Sequence, residues 1–364
     1  MKKTFSNFFT FKKILKMIKK KSSFFKKERR MKFGIDLTKS SLHIGHLFIL
    51  LFIKKILRFR KLKIFLILGD FTTYINNNIK KKKILKNLKK IKKQIKKILG
   101  ENKRIKYLKN SSWLEKIKFG TISKLEIDFF LKRKKIVNEK EKKIGQIVYP
   151  YFQNFDNKIL EIDTEIGGRD QFFNFIYGNK KKIRKTFFFV LPLIRGIKGN
   201  EKMSKSDKKN QINLSDNCKT VFWKFISMND VNSKRNYSIF SRVVKFKKKK
   251  NNNINKEILR KINLFLNIGP FFLKKNDMDS IIKKYIKKKY TGIKKTFLIE
   301  KKTNIIDFFI EKKILYSRKE VKNLIKQGSI KVNNNIIKEF NFCVGDKDVV
   351  SYGKKKRYLL KIEK

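Results

Sequence analysis

The sequence predicts an α/β protein: a doubly wound parallel sheet, then a helical segment, then a small α+β module. Three observations carry that expectation. Short apolar runs alternate with amphipathic stretches up to residue 212, the pattern of strands separated by crossover helices. The pattern turns helical over 213–303, and over 304–364 it changes again to two short helices followed by strands. At 364 residues the chain also exceeds what one core usually serves, so the domains are drawn at 1–212, 213–303 and 304–364.

Each element follows from its local pattern. Met1–Arg30 is basic and Phe-rich without an uninterrupted secretory core, so it reads as a first amphipathic helix, with an organellar transit peptide as the alternative. Lys32–Asp36 reads as a short strand and Leu42–Arg58 as a helix. Lys63–Leu68 is continuously apolar, as in a strand buried on both faces. Ile84, Leu88, Ile91, Ile95 and Ile98 recur at helical spacing, which makes Lys81–Leu99 an amphipathic helix with an outer lysine face. Pro150–Phe155 opens a further helix, Asp163–Ile166 a strand, Asp170–Lys182 a helix and Phe187–Ile194 a strand. Lys247–Asn255 is low in complexity and reads as a surface loop.

Composition excludes more than it identifies. The formal net charge is +68, which invites a polyanionic partner. Yet the chain has no alanine and a great excess of Lys, Asn, Ile and Phe, whose codons are A/T-rich. The last module, Asn304–Lys364, holds 15 Lys+Arg against 7 Asp+Glu, a lower charge density than the chain as a whole. Net charge therefore locates no nucleic-acid site. Cys218 and Cys343 are too few for a disulfide framework or a metal box, which favours a reducing compartment and a cytoplasmic setting. The best apolar run, Leu47–Ile53, stops at Lys54-Lys55, so no membrane span is expected.

Chemistry concentrates in a few places. Both histidines, His43 and His46, lie at i, i+3 in Leu42-His43-Ile44-Gly45-His46, at a helix start just after a strand. Free N–H groups and the positive helix end favour phosphate there, and Gly45 admits a flat base close to the backbone. Lys202-Met203-Ser204-Lys205-Ser206 follows two glycines, and its paired ammonium groups can neutralise a leaving pyrophosphate. Tyr149, Gln153 and Asp156 stand at i, i+4 and i+7 on one helix face, with Pro150 suited to the first turn. A surface helix showing polar residues is the plainer alternative. It is weakened by Gly167-Gly168-Arg169-Asp170-Gln171, where glycines at a strand end permit close backbone approach.

Leu37–His46 resembles the HIGH motif, and Lys202–Ser206 spells the KMSKS motif, of class I aminoacyl-tRNA synthetases. Tyr149–Asp156 and Ile166–Gln171 are similar to the bacterial tyrosyl-tRNA synthetases, in the subgroup that carries KMSKS. The resemblance implies a Rossmann-like catalytic domain, a helical anticodon-binding domain and, over Ile310–Lys364, an S4-like RNA-binding module. It implies a tyrosine–tRNA ligase using ATP, with Mg²⁺ on the triphosphate and no metal site of the protein's own, acting on tRNA(Tyr) as a homodimer. By the same resemblance Asp156 receives the substrate's phenolic hydroxyl, Tyr149 and Gln153 lie near its amine, and Gln171 lies by its carboxylate. Gly168 and Asp170 contact ribose, Asp36 holds the adenylate, and Thr38, His43, His46, Lys202 and Lys205 hold the phosphates. In the tail, Ser317 is expected to cap a helix Arg318–Lys326 ended by Gly328, and Arg318, Lys319 and Lys322 are expected to face RNA.

Three positions depart from the family. Leu37 replaces a proline, and Arg169 replaces a small hydroxyl residue. Asn77, within Asn76–Asn78, stands where the family has an acid for the substrate ammonium, so weaker tyrosine affinity is expected. Two rivals follow: a tryptophan-specific relative, which would lack the Asp156 position and the S4-like tail, and an RNA-binding or intron-assisting protein with a decayed synthetase domain.

Overall fold

The computed structural model describes residues 7–77, 79–117, 144–180, 186–199, 210–247, 254–286, 293–333, 335–346, 348–353 and 356–362. The chain forms two compact units: Met1–Lys250 with Lys256–Lys274, and Asn251–Asn255 with Lys275–Lys364.

The first unit is organised by a six-stranded sheet. Its strands are β1 (Phe8–Thr10), β2 (Arg29–Asp36), β3 (Leu62–Gly69), β4 (Ile105–Lys109), β5 (Thr164–Gly168) and β6 (Phe187–Leu191). They lie in the order β1-β6-β5-β2-β3-β4. Every pairing is parallel. From β2 the chain steps outward through β3 to β4, and from β5 it steps the other way to β6. The direction of winding therefore reverses between β2 and β5, the switch point at which doubly wound sheets open a crevice beyond the carboxyl ends of their strands.

Burial explains the elements. β3 is enclosed along almost its whole length, as its apolar run predicts. The helix Ile44–Ile56 buries Leu47, Phe48, Leu50, Leu51, Phe52, Ile53 and Ile56, so it is apolar nearly all round because it lies in the core. The helix Lys81–Leu99 buries Ile84, Ile91, Ile95 and Ile98, with Asn87 on the same stripe. Asn87 donates to the Leu37 carbonyl at 2.7 Å, fastening the turn where the family's proline is missing. Helices Cys218–Ile226, Asp230–Ser241 and Lys256–Ile268 complete this unit, with Phe222 and Phe225 against Phe265.

Some expectations shift. The N-terminal segment is a strand before it is a helix: β1 pairs with the outer edge of β6, and the helix Phe11–Lys19 starts after it. The helix carrying Tyr149 runs Ile144–Ile159, so Pro150 lies inside it rather than in its first turn. The ring there removes one helical N–H, and the Pro150 carbonyl accepts from Asn154 Nδ2 at 2.7 Å. Of the low-complexity stretch, residues 248–253 lie outside the described residues.

In the second unit a five-stranded sheet runs in the order β10-β9-β12-β13-β7. Here β7 is Ile293–Ile299, β9 Ile330–Val332, β10 Asn335–Ile336, β12 Val349–Tyr352 and β13 Lys356–Ile362. β8 (Thr303–Asn304) pairs separately with β11 (Cys343–Val344). The segment Ile293–Ile299, expected to continue a helical region, is a strand paired in parallel with β13. Phe308, Phe309, Val321, Ile330, Val350 and Leu360 form the core under the helices Ile305–Glu311 and Arg318–Lys326. Gly328 ends the second helix with φ +64°, a conformation that needs no Cβ penalty only in glycine. Ser317 occupies the cap position, in extended backbone, but its side chain makes no capping bond. Among the described residues no helix is long and apolar enough to cross a membrane.

Candidate active site

A cavity of about 340 Å³ opens at the switch point. The ends of the strands form its floor: Phe33–Asp36 of β2, Gly69 of β3 and Ile166–Gly168 of β5, with Pro192–Ile194 beyond β6. Asp36, His43, Gly45, His46, Tyr149, Gln153, Asp156, Gly168, Asp170 and Gln171 all line it. Segments more than a hundred residues apart in sequence thus meet on one surface.

At one end the two histidines form a reciprocal cap on the helix Ile44–Ile56. His43 Nδ1 accepts from the Gly45 N–H at 3.1 Å, and His46 Nδ1 accepts from the His43 N–H at 3.3 Å. The rings stand 4.0 Å apart. With Nδ1 an acceptor in each ring, the neutral imidazole carries its proton on Nε2. Both rings and the helix N-terminus line the cavity edge. A Cβ at Gly45 would stand 2.8 Å from His43 Cε1, so the cap itself requires glycine there. The segment beyond the KMSKS-like stretch is pinned alongside: Ile44 N–H donates to Ile212 O at 3.1 Å and Leu214 N–H to Leu42 O at 2.8 Å. Lys202 and Lys205 themselves lie outside the described residues.

At the other end Asp156 is buried, only 4% exposed. Trp113 Nε1 donates to its Oδ1 at 2.8 Å. Burial pushes the carboxyl up to about 7, against the opposing charge of Lys32 and the bond from Trp113; Glu165 and Asp36 add to the rise. The Tyr149 hydroxyl donates to Asp36 Oδ2 at 3.4 Å. Burial raises that hydroxyl well above the usual tyrosine range, with the Asp36 charge next in effect. Gln153 is engaged at both ends of its amide: Nε2 donates to Glu165 at 2.8 Å, and Oε1 accepts from Asn174 at 2.8 Å. Asn174 also donates to Gln171 Oε1 at 2.9 Å, turning the Gln171 NH₂ away from that contact.

Sequence reasoning missed Trp113, Asn110 and Thr72. Their signal was the Asp70 that follows β3. Its carboxylate accepts from the Ser111 N–H at 3.0 Å and the Ser111 hydroxyl at 2.7 Å, anchoring the turn that carries Asn110 and Trp113. Asn110 then donates to Thr72 Oγ1 at 3.3 Å, and Thr72 donates to Asp36 at 3.4 Å. Two expected residues stand off the cavity lining. Thr38 has a buried hydroxyl with no hydrogen-bond partner among the described residues. Asn77 turns its amide back onto the Thr73 carbonyl at 3.3 Å. Arg169 is exposed beside Asp170, and nothing in the structure explains it.

Known proteins resemble the chain in sequence and in fold. The tRNA synthetases class I (W and Y) family matches residues 26–309, and the tyrosine–tRNA ligase SYY-like C-terminal domain matches residues 285–360. A tyrosine–tRNA ligase 2 of Clostridium acetobutylicum is 28% identical, covering 92% of this chain and 90% of its own length. The tyrosine–tRNA ligase of Thermotoga maritima is 27% identical, covering 90% and 89%. The fold matches the tyrosyl-tRNA synthetase of Archaeoglobus fulgidus, crystallised with L-tyrosine, at a TM-score of 0.53 and 16% identity over 70% of this chain and 90% of that one. With the family matched across most of the sequence and the tyrosine enzymes' own terminal domain behind it, the chain belongs to the class I tRNA synthetases, in their bacterial tyrosine branch.

Proposed function

We propose that the cavity makes tyrosyl-adenylate from tyrosine and ATP, and that the chain then transfers tyrosine to the 3′ end of tRNA(Tyr). The observation that carries this reading is Asp156: a buried carboxylate in the cavity lining with one oxygen fixed by Trp113, and its other oxygen receives the substrate hydroxyl. A phenol satisfies it. A bare phenyl ring leaves it desolvated and unpaired, which costs binding.

The chemistry needs no protein nucleophile. The tyrosine carboxylate attacks the α-phosphorus, a new C–O–P linkage forms, and the bond to pyrophosphate breaks; the protein contributes position and charge. His43 and His46 present Nε2–H to the phosphates at the helix start, while Gly168 and Asp170 receive the ribose and Asp36 the adenylate. Gln171 turns its NH₂ to the tyrosine carboxylate. Lys202 and Lys205 hold the leaving pyrophosphate. Mg²⁺ arrives on the triphosphate and supplies charge neutralisation.

In the C-terminal unit Arg318, Lys319 and Lys322, exposed on one short helix, meet the RNA backbone, with Arg318 also paired to Asp307. The working form is a homodimer in the cytoplasm. Tyrosine-dependent exchange between ATP and labelled pyrophosphate, followed by charging of tRNA(Tyr), tests the reading. Exchange with tyrosine and charging are expected; no exchange with any amino acid defeats it.

A further inference from the structure

Beneath the pocket lies an ion pair that the reaction itself does not use. Lys32 and Glu165 are opposite each other in the parallel register of β2 and β5, so both side chains rise on one face of the sheet at its switch point. They are 1% and 2% exposed, and Lys32 Nζ stands 3.2 Å from Glu165 Oε1. Lys32 also donates to the Gln153 carbonyl at 2.5 Å, and Glu165 accepts from Gln153 at 2.8 Å and from Asn157 Nδ2 at 2.7 Å. Both bonded helix residues flank Asp156, at positions 153 and 157. The pair therefore grips the helix on either side of the carboxylate. Burying two charges is costly, and an apolar pair of the same size would often serve stability as well. A functional reason for the pair lies in the cavity, which Lys32 lines together with Asp156.

We propose that Lys32, held by Glu165, is a positioning residue for tyrosine recognition that sets Asp156 as the acceptor of the phenolic hydroxyl. The charged and titratable groups around Asp156 are Lys32 and Asp36 from β2, Glu165 from β5 and Tyr149 from its own helix. Lys32 is the cation in this set, and its charge opposes what burial and the two acids do to Asp156. The inference rests on the pocket being the tyrosine site.

Removing Lys32 alone strands a buried Glu165, and Lys32→Met can fail to fold for that reason. The deciding variant is the neutral pair Lys32→Met with Glu165→Gln in the full chain, its folding checked by thermal unfolding. Tyrosine-dependent pyrophosphate exchange is then followed across neutral pH. The folded double variant is expected to raise the tyrosine KM about tenfold and to move the onset of tyrosine binding to higher pH, because the lost Lys32 charge outweighs the lost Glu165 charge at Asp156. The loss appears in the tyrosine KM and not in the ATP KM. A folded double variant with the tyrosine KM and pH profile of the wild type overturns the assignment. If the wild type itself shows no tyrosine-dependent exchange, the reading of the pocket fails instead.

Discussion

At one end of the cavity, two histidines cap a helix with their own side chains in a local, four-residue device. At the other, Asp156 depends on Trp113 from the segment after β4 and Lys32 from β2, both far away in sequence, and on Glu165 from β5, the next strand. On the proposed function the first end acts on charge that develops in the reaction, and the second selects a ligand before it. The difference teaches that the phosphate end is encoded by spacing and the amino-acid end by strand register.

Substitutions sharpen that contrast. The largest effect is expected from His46→Ala, which removes a donor aimed at the phosphates: kcat for adenylate formation falls by about 10²–10³, while stability drops by about 1 kcal/mol with the lost cap bond. Exchange kinetics beside thermal unfolding read both. Replacing Arg318, Lys319 and Lys322 together by alanine is expected to raise the KM for tRNA about tenfold and flatten its salt dependence, with exchange unaffected.

The sign of the pH effect follows from Asp156. Its folded value, about 7, lies above the usual carboxylate value of 3.8, so the folded state holds this proton longer than the unfolded one. The stability linked to it is complete below the unfolded value and is lost as pH rises from about 4 to about 7, an effect of roughly 4 kcal/mol for so buried a group. Asp156→Asn should remove that slope from denaturant titrations taken at several pH values.

The histidine tetrapeptide was legible because a helix start is a local object: its N–H groups, its Gly45 and both rings lie within one turn. The parallel, doubly wound class of the sheet was legible from alternating apolar runs, although β4 was not read, β1 was hidden in a short basic segment and β7 in a stretch that reads as helical. Tyr149, Gln153 and Asp156 were legible as one helix face, even with Pro150 misplaced in the first turn. Trp113 was not. Its role exists only because Asp70 holds Ser111, a contact across 41 residues. Lys32 was illegible in a chain so rich in lysine, because only the register of β2 against β5 distinguishes it from solvated neighbours. Asn77 points the other way: its position drew attention, yet its amide closes onto its own helix.

Smaller effects test the second end more finely. Trp113→Phe keeps a ring but removes the N–H to Asp156, so the tyrosine KM is expected to rise about tenfold, the usual worth of a bond to a charged group. Asn77→Ala is expected to leave it within about twofold, because the amide makes no contact with the cavity.

The central claim is that Asp156 reads the phenolic hydroxyl. The most direct measurement is kcat/KM for tyrosine and for phenylalanine in pyrophosphate exchange, in the wild type and in Asp156→Ala. The account predicts a strong preference for tyrosine in the wild type that shrinks by at least about tenfold in the variant, mainly through loss on tyrosine. A variant that is folded and active and keeps the wild-type ratio would contradict it.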